Sequence, residues 1–150
     1  MNPHFIFNAL NSINNYVQTN DRDLATGFLT KFAQLMRLVL ESSRHAEVPL
    51  KDDLEALRLY MDLERDRMQE KFDYTINVDP AIDQEATLVP PLVAQPFVEN
   101  AIWHGVSGKE GKGHIVLKVE QRGTMLMMTI EDDGVGRGSI PSGSPRNDQP

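Results

Sequence analysis

The stretch from Pro90 to Gly105, PPLVAQPFVENAIWHG, constrains this chain more than any other. At about 100° per residue along a helix, Ala94, Phe97, Val98, Ala101 and Ile102 share one apolar arc. Gln95, Glu99, Asn100, Trp103 and His104 lie on the other side. An ordinary amphipathic helix shows Lys and Glu to water. This one offers a carboxylate, an amide, an imidazole and an indole, so its polar side reads as the wall of a site. The fold must bury one face of this helix and leave the other beside a cavity.

The chain before it divides in two by pattern. Asn2-Pro3 is a helix start, with Asn as cap and Pro at the first helical position. Ile6, Leu10, Ile13 and Val17 then form an apolar face of a helix ending near Asn20. His4, Asn8, Asn11 and Asn15 form a polar stripe with helical spacing. Asn is a mediocre helix former, so propensity does not explain three of them there. Asp21 caps a second helix to about Arg44. It carries two adjacent apolar stripes, one of Leu24, Phe28, Phe32, Leu35 and Val39, the other of Ala25, Leu29, Ala33, Met36 and Leu40. One partner helix cannot cover so wide a surface. Two such hairpins from two chains would cover it as a four-helix bundle.

The pattern changes near Ala46, where a domain boundary is expected. Glu47 to Leu50 reads as an extended link or short edge strand. Lys51 to Gln69 reads as a helix with Leu54, Leu57, Met61 and Met68 on one face and Asp52 and Asp53 in its first turn, where carboxylates suit the dipole. Phe72 to Val78 alternates as a half-buried strand closed by Asp79-Pro80. After the Pro90–Gly105 helix, Val106 to Gly113 reads as a flexible glycine-rich loop. His114–Glu120 and Thr124–Glu131 read as strands joined at Arg122-Gly123. From residue 137 onward almost nothing is apolar, and disorder is expected.

Composition narrows the function classes. A net charge of −7 opposes nonspecific nucleic-acid binding, which needs a Lys/Arg surplus. With no cysteine, disulfides, thiol catalysis and Cys-ligated zinc are excluded. No apolar run approaches the ~20 residues of a membrane helix, and no secretory signal is visible, which fits a cytoplasmic setting.

Three groups of residues could carry chemistry. Asn100 offers a carbonyl oxygen of the kind Mg²⁺ accepts, alongside oxygens from phosphates and water. Glu99 could orient or deprotonate an attacking group, and His104, one turn after Asn100, could bond a phosphate. The plainer reading is a polar helix face meeting water. Asp132-Asp133-Gly134-Val135-Gly136 puts a carboxylate at a strand end, where it could accept a hydrogen bond from the exocyclic amine of adenine. The glycines allow φ > 0 or close approach; the plainer reading is a strand-ending turn. His4 could act as a nucleophile near a helix N-terminus, or be merely solvated. His45, His104 and His114 have no metal-ligand spacing.

Taken together, these signals resemble a known family. Asn2-Pro3-His4-Phe5-Ile6-Phe7-Asn8-Ala9-Leu10-Asn11 resembles the NPHFLFNxLN box of LytS-type sensor histidine kinases, with Ile6 for the usual Leu. PPLVAQPFVENAIWHG resembles PPLLLQPLVENAIKHG, the N box of their GHKL (Bergerat-fold) ATP-binding domain, with Trp103 for Lys. DDGVG matches the first glycine box, D-x-G-x-G.

The resemblance implies an α+β fold. Residues 1–45 would form a dimerising helical hairpin carrying the phosphoacceptor His4. Residues 46–150 would form a Bergerat-type α/β sandwich, truncated before the second glycine box. It implies ATP and Mg²⁺ as cofactors, Asn100 as the metal ligand, Asp132 as the adenine-reading acid, and Gly134 and Gly136 as its loop. It also implies a homodimer, a response regulator receiver domain as partner, and a parent chain attached to a membrane sensor region. The box begins at Met1 and no second glycine box follows, so the chain reads as a fragment that binds ATP weakly or not at all and is itself inactive. Two rivals stay open: a GHKL ATPase in which Glu99 activates water, and a noncatalytic dimerisation module with a vestigial nucleotide site.

Overall fold

A computed structural model describes residues 3–134. The order is α1 (Pro3–Gln18), α2 (Arg22–Ser42), β1 (Val48–Pro49), α3 (Leu50–Arg67), β2 (Phe72–Val78), β3 (Leu88–Val89), α4 (Gln95–Trp103), a 3-10 turn (Val106–Gly108), β4 (Gly113–Arg122) and β5 (Met125–Asp132). The fold is α+β. Its main sheet runs β2-β4-β5, with β4 parallel to β2 and antiparallel to β5. β1 and β3 form a small antiparallel pair, Val48 opposite Val89.

Local chemistry sets most boundaries. Asn20 ends the first helical segment in the left-handed region, at φ 63°, which Asn tolerates better than most residues. The Asp21 side chain accepts the Leu24 N–H at 3.2 Å and starts α2. Gly123, at φ 61°, makes the tight turn between β4 and β5. Along β4, Ile115, Leu117 and Val119 are buried and the residues between them half-buried, the alternation of a strand with one face in a core.

That core is one cluster. Leu54, Leu57 and Met61 of α3, Val98 and Ile102 of α4 and the inner face of β4 belong to it, and so do Phe5, Ala9, Phe28 and Leu35 of α1 and α2. The Phe5 ring packs 5.0 Å from that of Tyr60 on α3. Lys31 of α2 pairs with Asp66 of α3 at 2.9 Å.

Several expectations need correction. On α1 the buried residues are Phe5 and Ala9, whereas Leu10 and Val17 are exposed. Periodicity finds an apolar arc, but the packing partner selects its centre, and the aromatic Phe5 gains more from burial than Leu10. On α2 Phe28 and Leu35 are buried and Phe32 half-buried, while Leu24, Leu29 and Leu40 face outward. Val106 to Gly113 is not simply a flexible loop: Val106 is fully buried in a 3-10 turn, and Gly113 opens β4.

The largest correction concerns Pro90 to Gly105. Only Gln95–Trp103 is helical. Pro is accepted in a first helical turn and not deeper, so Pro96 marks the start of α4. Leu92 ahead of it is left-handed, at φ 57°. Its N–H is donated to the Asp53 carboxylate at 2.6 Å. Asp53 therefore does more than meet the dipole of α3: it is buried and fastens the loop that leads into α4.

This clamp makes a prediction. Burial holds the Asp53 carboxyl above the usual range, and the Leu92 and Val93 N–H groups lower it only in part. A raised value means that the folded chain holds the proton more tightly than the unfolded one. The contribution of Asp53 to stability is therefore fully present below its ordinary pKa and declines as pH rises through the raised value. Asp53→Asn is neutral and still able to accept from Leu92, so it should gain on wild type as pH rises from about 4 to 7. Asp53→Ala leaves both N–H groups without an acceptor and should lose about 1–3 kcal/mol. Urea unfolding at both pH values checks this, and an Asp53→Asn deficit that grows with pH would contradict it.

Candidate functional site

A cavity of about 990 Å³ opens between α4, the β3–α4 loop and β5. Asn100 and His104, one turn apart on α4, line it, and Asp132 at the end of β5 faces them. Its remaining wall is apolar, with Val89, Phe97, Ala101, Met128 and Ile130 among its residues. Polar groups gathered at one part of an apolar cavity of this size suit a small molecule with a flat apolar part and a charged part.

Two glycines allow that convergence. A Cβ on Gly105 would stand 2.5 Å from Asp132 Oδ1 and would also meet the Ala101 carbonyl. A Cβ on Gly134 would run into the Gly105 backbone. The end of α4 and the turn after β5 thus touch main chain to main chain. Gly134 is required for close approach, one of the two roles expected of it. The Asp132 carboxylate accepts the Gly134 N–H at 3.0 Å, which holds the turn. The neighbouring Asp133 carboxylate accepts the His114 N–H at 2.7 Å and ties the end of β5 to the start of β4. Gly136 lies outside the described residues, as does the tail expected to be disordered.

The other polar residues of α4 divide differently from expectation. Gln95 is buried and donates to Glu99 at 3.1 Å, so it forms no part of the cavity wall. Phe97, expected in the core, is exposed and lines the cavity. Glu99 and Trp103 do not line the cavity: Trp103 faces His4 of α1 and Arg67 of α3, and the Glu99 charge acts on Tyr60 of α3. The Tyr60 hydroxyl is pushed up by burial first, then by the charges of Glu64 and Glu99. The Trp103 ring lies 6.4 Å from that of His4, centroid to centroid. His4 is exposed on α1, beside the cavity-bearing helix but not in the cavity wall. Asn8, Asn11 and Asn15 line a separate groove between α1, α2 and the end of α3. His114 meets Thr75 on the sheet at 3.1 Å, away from α4, and His45 is exposed after α2.

Comparison with known proteins agrees with the motifs. The histidine kinase family model matches residues 1–72. The sensor protein LytS of Staphylococcus saprophyticus is 31% identical over 136 residues, which is 91% of this chain and 22% of that protein. The chain belongs to the LytS-type sensor histidine kinases. The sensor histidine kinase YpdA of Escherichia coli is 30% identical over 136 residues, 91% of this chain and 23% of the relative. BtsS, another sensor histidine kinase of Escherichia coli, is 33% identical over 134 residues, 89% of this chain and 23% of the relative. The chain thus spans under a quarter of the length of these relatives.

In this LytS-type chain Pro3–Asn11 of the first motif lie in α1, Gln95–Trp103 of the Pro90–Gly105 stretch form α4, and Asp132 ends β5 with Gly134 in the turn after it. Reading the sequence missed the groups that hold them: Asp53 under the Leu92 loop, and Glu64 with Arg67 beneath Trp103. Asp53 showed only as a dipole partner. For Glu64 the signal was a carboxylate on the apolar side of α3, where burial requires a partner.

Proposed function

We propose that this chain is the phosphoacceptor and ATP-binding part of a two-component sensor histidine kinase. The observation that carries the reading is the convergence of Asn100, His104 and Asp132 on one cavity, across the Gly105–Gly134 contact, with His4 packed against the same helix. On this reading residues 1–45 form the dimerising, phosphoaccepting hairpin. Residues 46–150 belong to a GHKL ATP-binding domain of Bergerat type.

The residues fit the nucleotide. The Asp132 carboxylate suits the exocyclic amine of adenine, and Met128, Ile130 and Ala101 offer the ring an apolar wall. The Asn100 carbonyl oxygen suits Mg²⁺. Among the described residues no group of three or more His, Cys, Asp or Glu could hold a metal, so phosphates and water would complete the shell. Mg²⁺ would supply charge neutralisation. His104 would contact the phosphates, and Glu99, one turn before Trp103 on α4, would orient or deprotonate His4. The γ-phosphoryl group passes from ATP to a ring nitrogen of His4, ADP leaves, and the group moves on to an aspartate of a response regulator receiver domain. Such transfers rest on positioning and electrostatics.

Incubation of the complete polypeptide with γ-labelled ATP and Mg²⁺ tests this. Label on protein that is acid-labile and alkali-stable is expected. Release of phosphate without labelled protein would instead support an ATPase.

Self-association is part of the reading. Leu24, Leu29 and Leu40 on α2 and Leu10 and Val17 on α1 are exposed, and a second copy would cover them. Phe32 is half-buried within its own chain, so Leu29→Glu is the cleaner probe. It should give monomers by sedimentation where wild type gives dimers; wild type already monomeric at high concentration would contradict the dimer. Among the described residues no helix is long and apolar enough to cross a membrane. Attachment to a membrane sensor would come from elsewhere in the parent, with this region on the cytoplasmic side.

A further inference from the structure

Trp103 stands where three helices meet. Its ring is 6.4 Å from the His4 ring of α1 at a tilt of 59°. The Arg67 guanidinium carbon of α3 lies 4.6 Å from its centroid. Both separations fall where aromatic pairs (about 4.5–7 Å) and cation–π pairs (within about 6 Å) attract. Arg67 is itself held: its Nε donates to Glu64 Oε1 at 2.7 Å. Glu64 is fully buried, and its other oxygen accepts the Tyr60 hydroxyl at 3.2 Å. Tyr60 packs on Phe5, the residue after His4. Contacts therefore run from Phe5 through Tyr60, Glu64, Arg67 and Trp103 back to His4.

We propose that Trp103 is a positioning residue for His4: an indole pinned by Arg67 that sets where the imidazole sits beside α4. The proposal rests on the reading of His4 as phosphoacceptor. The family motif carries Lys at this position. A lysine offers no ring face to the imidazole, and its charge would repel Arg67. The arrangement seen here thus follows from this chain's own substitution. It also divides the labour of α4. Asn100 and His104 serve the cavity, while Trp103, one turn after Glu99, serves the histidine.

Trp103 is the only tryptophan, so its indole N–H gives a single, identifiable NMR signal. Without nucleotide, His4→Gln and Arg67→Met should each shift that signal, because each removes a group lying near the ring. A signal unmoved by His4→Gln would overturn the contact. In the complete polypeptide at saturating ATP, Trp103→Ala should slow labelling of His4 about 3- to 10-fold, with the KM for ATP unchanged. Trp103→Phe, which keeps a ring, should recover most of the rate. Equal loss in both variants, or a raised KM at unchanged rate, would overturn the proposal. If wild type takes no label on His4, the phosphoacceptor reading falls, and the indole signal still decides whether Trp103 places His4.

Discussion

His4→Gln and Asn100→Asp are both expected to abolish phosphorylation of the complete polypeptide, for different reasons. His4 lies outside the cavity wall, so His4→Gln removes the nucleophile and should leave ATP affinity unchanged. Asn100 lines the cavity. Asn100→Asp replaces a neutral oxygen donor with a carboxylate that repels the triphosphate and disturbs the metal, so ATP·Mg²⁺ binding itself should weaken. Adding one like charge or spoiling one ligand costs roughly 1–3 kcal/mol, about 5- to 150-fold in affinity. Calorimetry with a nonhydrolysable ATP analogue separates the two variants. Mixing them tests direction: label on the Asn100→Asp subunit shows transfer between subunits, and its absence in mixed dimers shows transfer within one. An acid-labile phosphoprotein formed by His4→Gln at the wild-type rate would end the case for His4.

The second large effect is on stability. Glu64 is fully buried, and its partner Arg67 is only 18% exposed. Removing one member of a buried pair leaves the other charge without compensation and costs about 3–5 kcal/mol. Glu64→Ala should approach this, because it strands the Arg67 guanidinium and also takes the acceptor from the Tyr60 hydroxyl. Glu64→Gln keeps an acceptor and should cost less. Replacing both members by apolar residues, Glu64→Leu with Arg67→Met, should recover much of the loss, since the pair no longer has to be taken out of water. Urea unfolding of the single and double variants measures the coupling. A Glu64→Ala chain within 1 kcal/mol of wild type would show that the pair is spread or solvated in solution. That figure lies below the ~3 kcal/mol floor for a broken buried pair.

How much could be read before the fold was known differs by the range of the interaction. The helices over Pro3–Gln18, Arg22–Ser42 and Leu50–Arg67, the strand Phe72–Val78 and the β4–β5 hairpin were legible. Their signals are local: a repeat of apolar residues, an Asp21 cap, a glycine turn. The family was legible too, because its boxes are short runs of adjacent residues. What the chain alone could not decide was everything that depends on a partner distant in sequence. Leu10 and Phe5 are equally apolar in a helical wheel, and only the position of Tyr60 on α3 buries one and exposes the other. Gln95 and Phe97 exchange their expected roles because Pro96 and the left-handed Leu92, fastened by Asp53, set where α4 begins and how it is rotated. The need for glycine at both 105 and 134 comes from two backbones meeting. In the motif Trp103 showed only as a replacement for Lys, and the tertiary structure places it between His4 and Arg67. Periodicity reports which residues share a face of one element. Which face meets which neighbour depends on the packing of all the elements together, and that is settled only when they close around a common core.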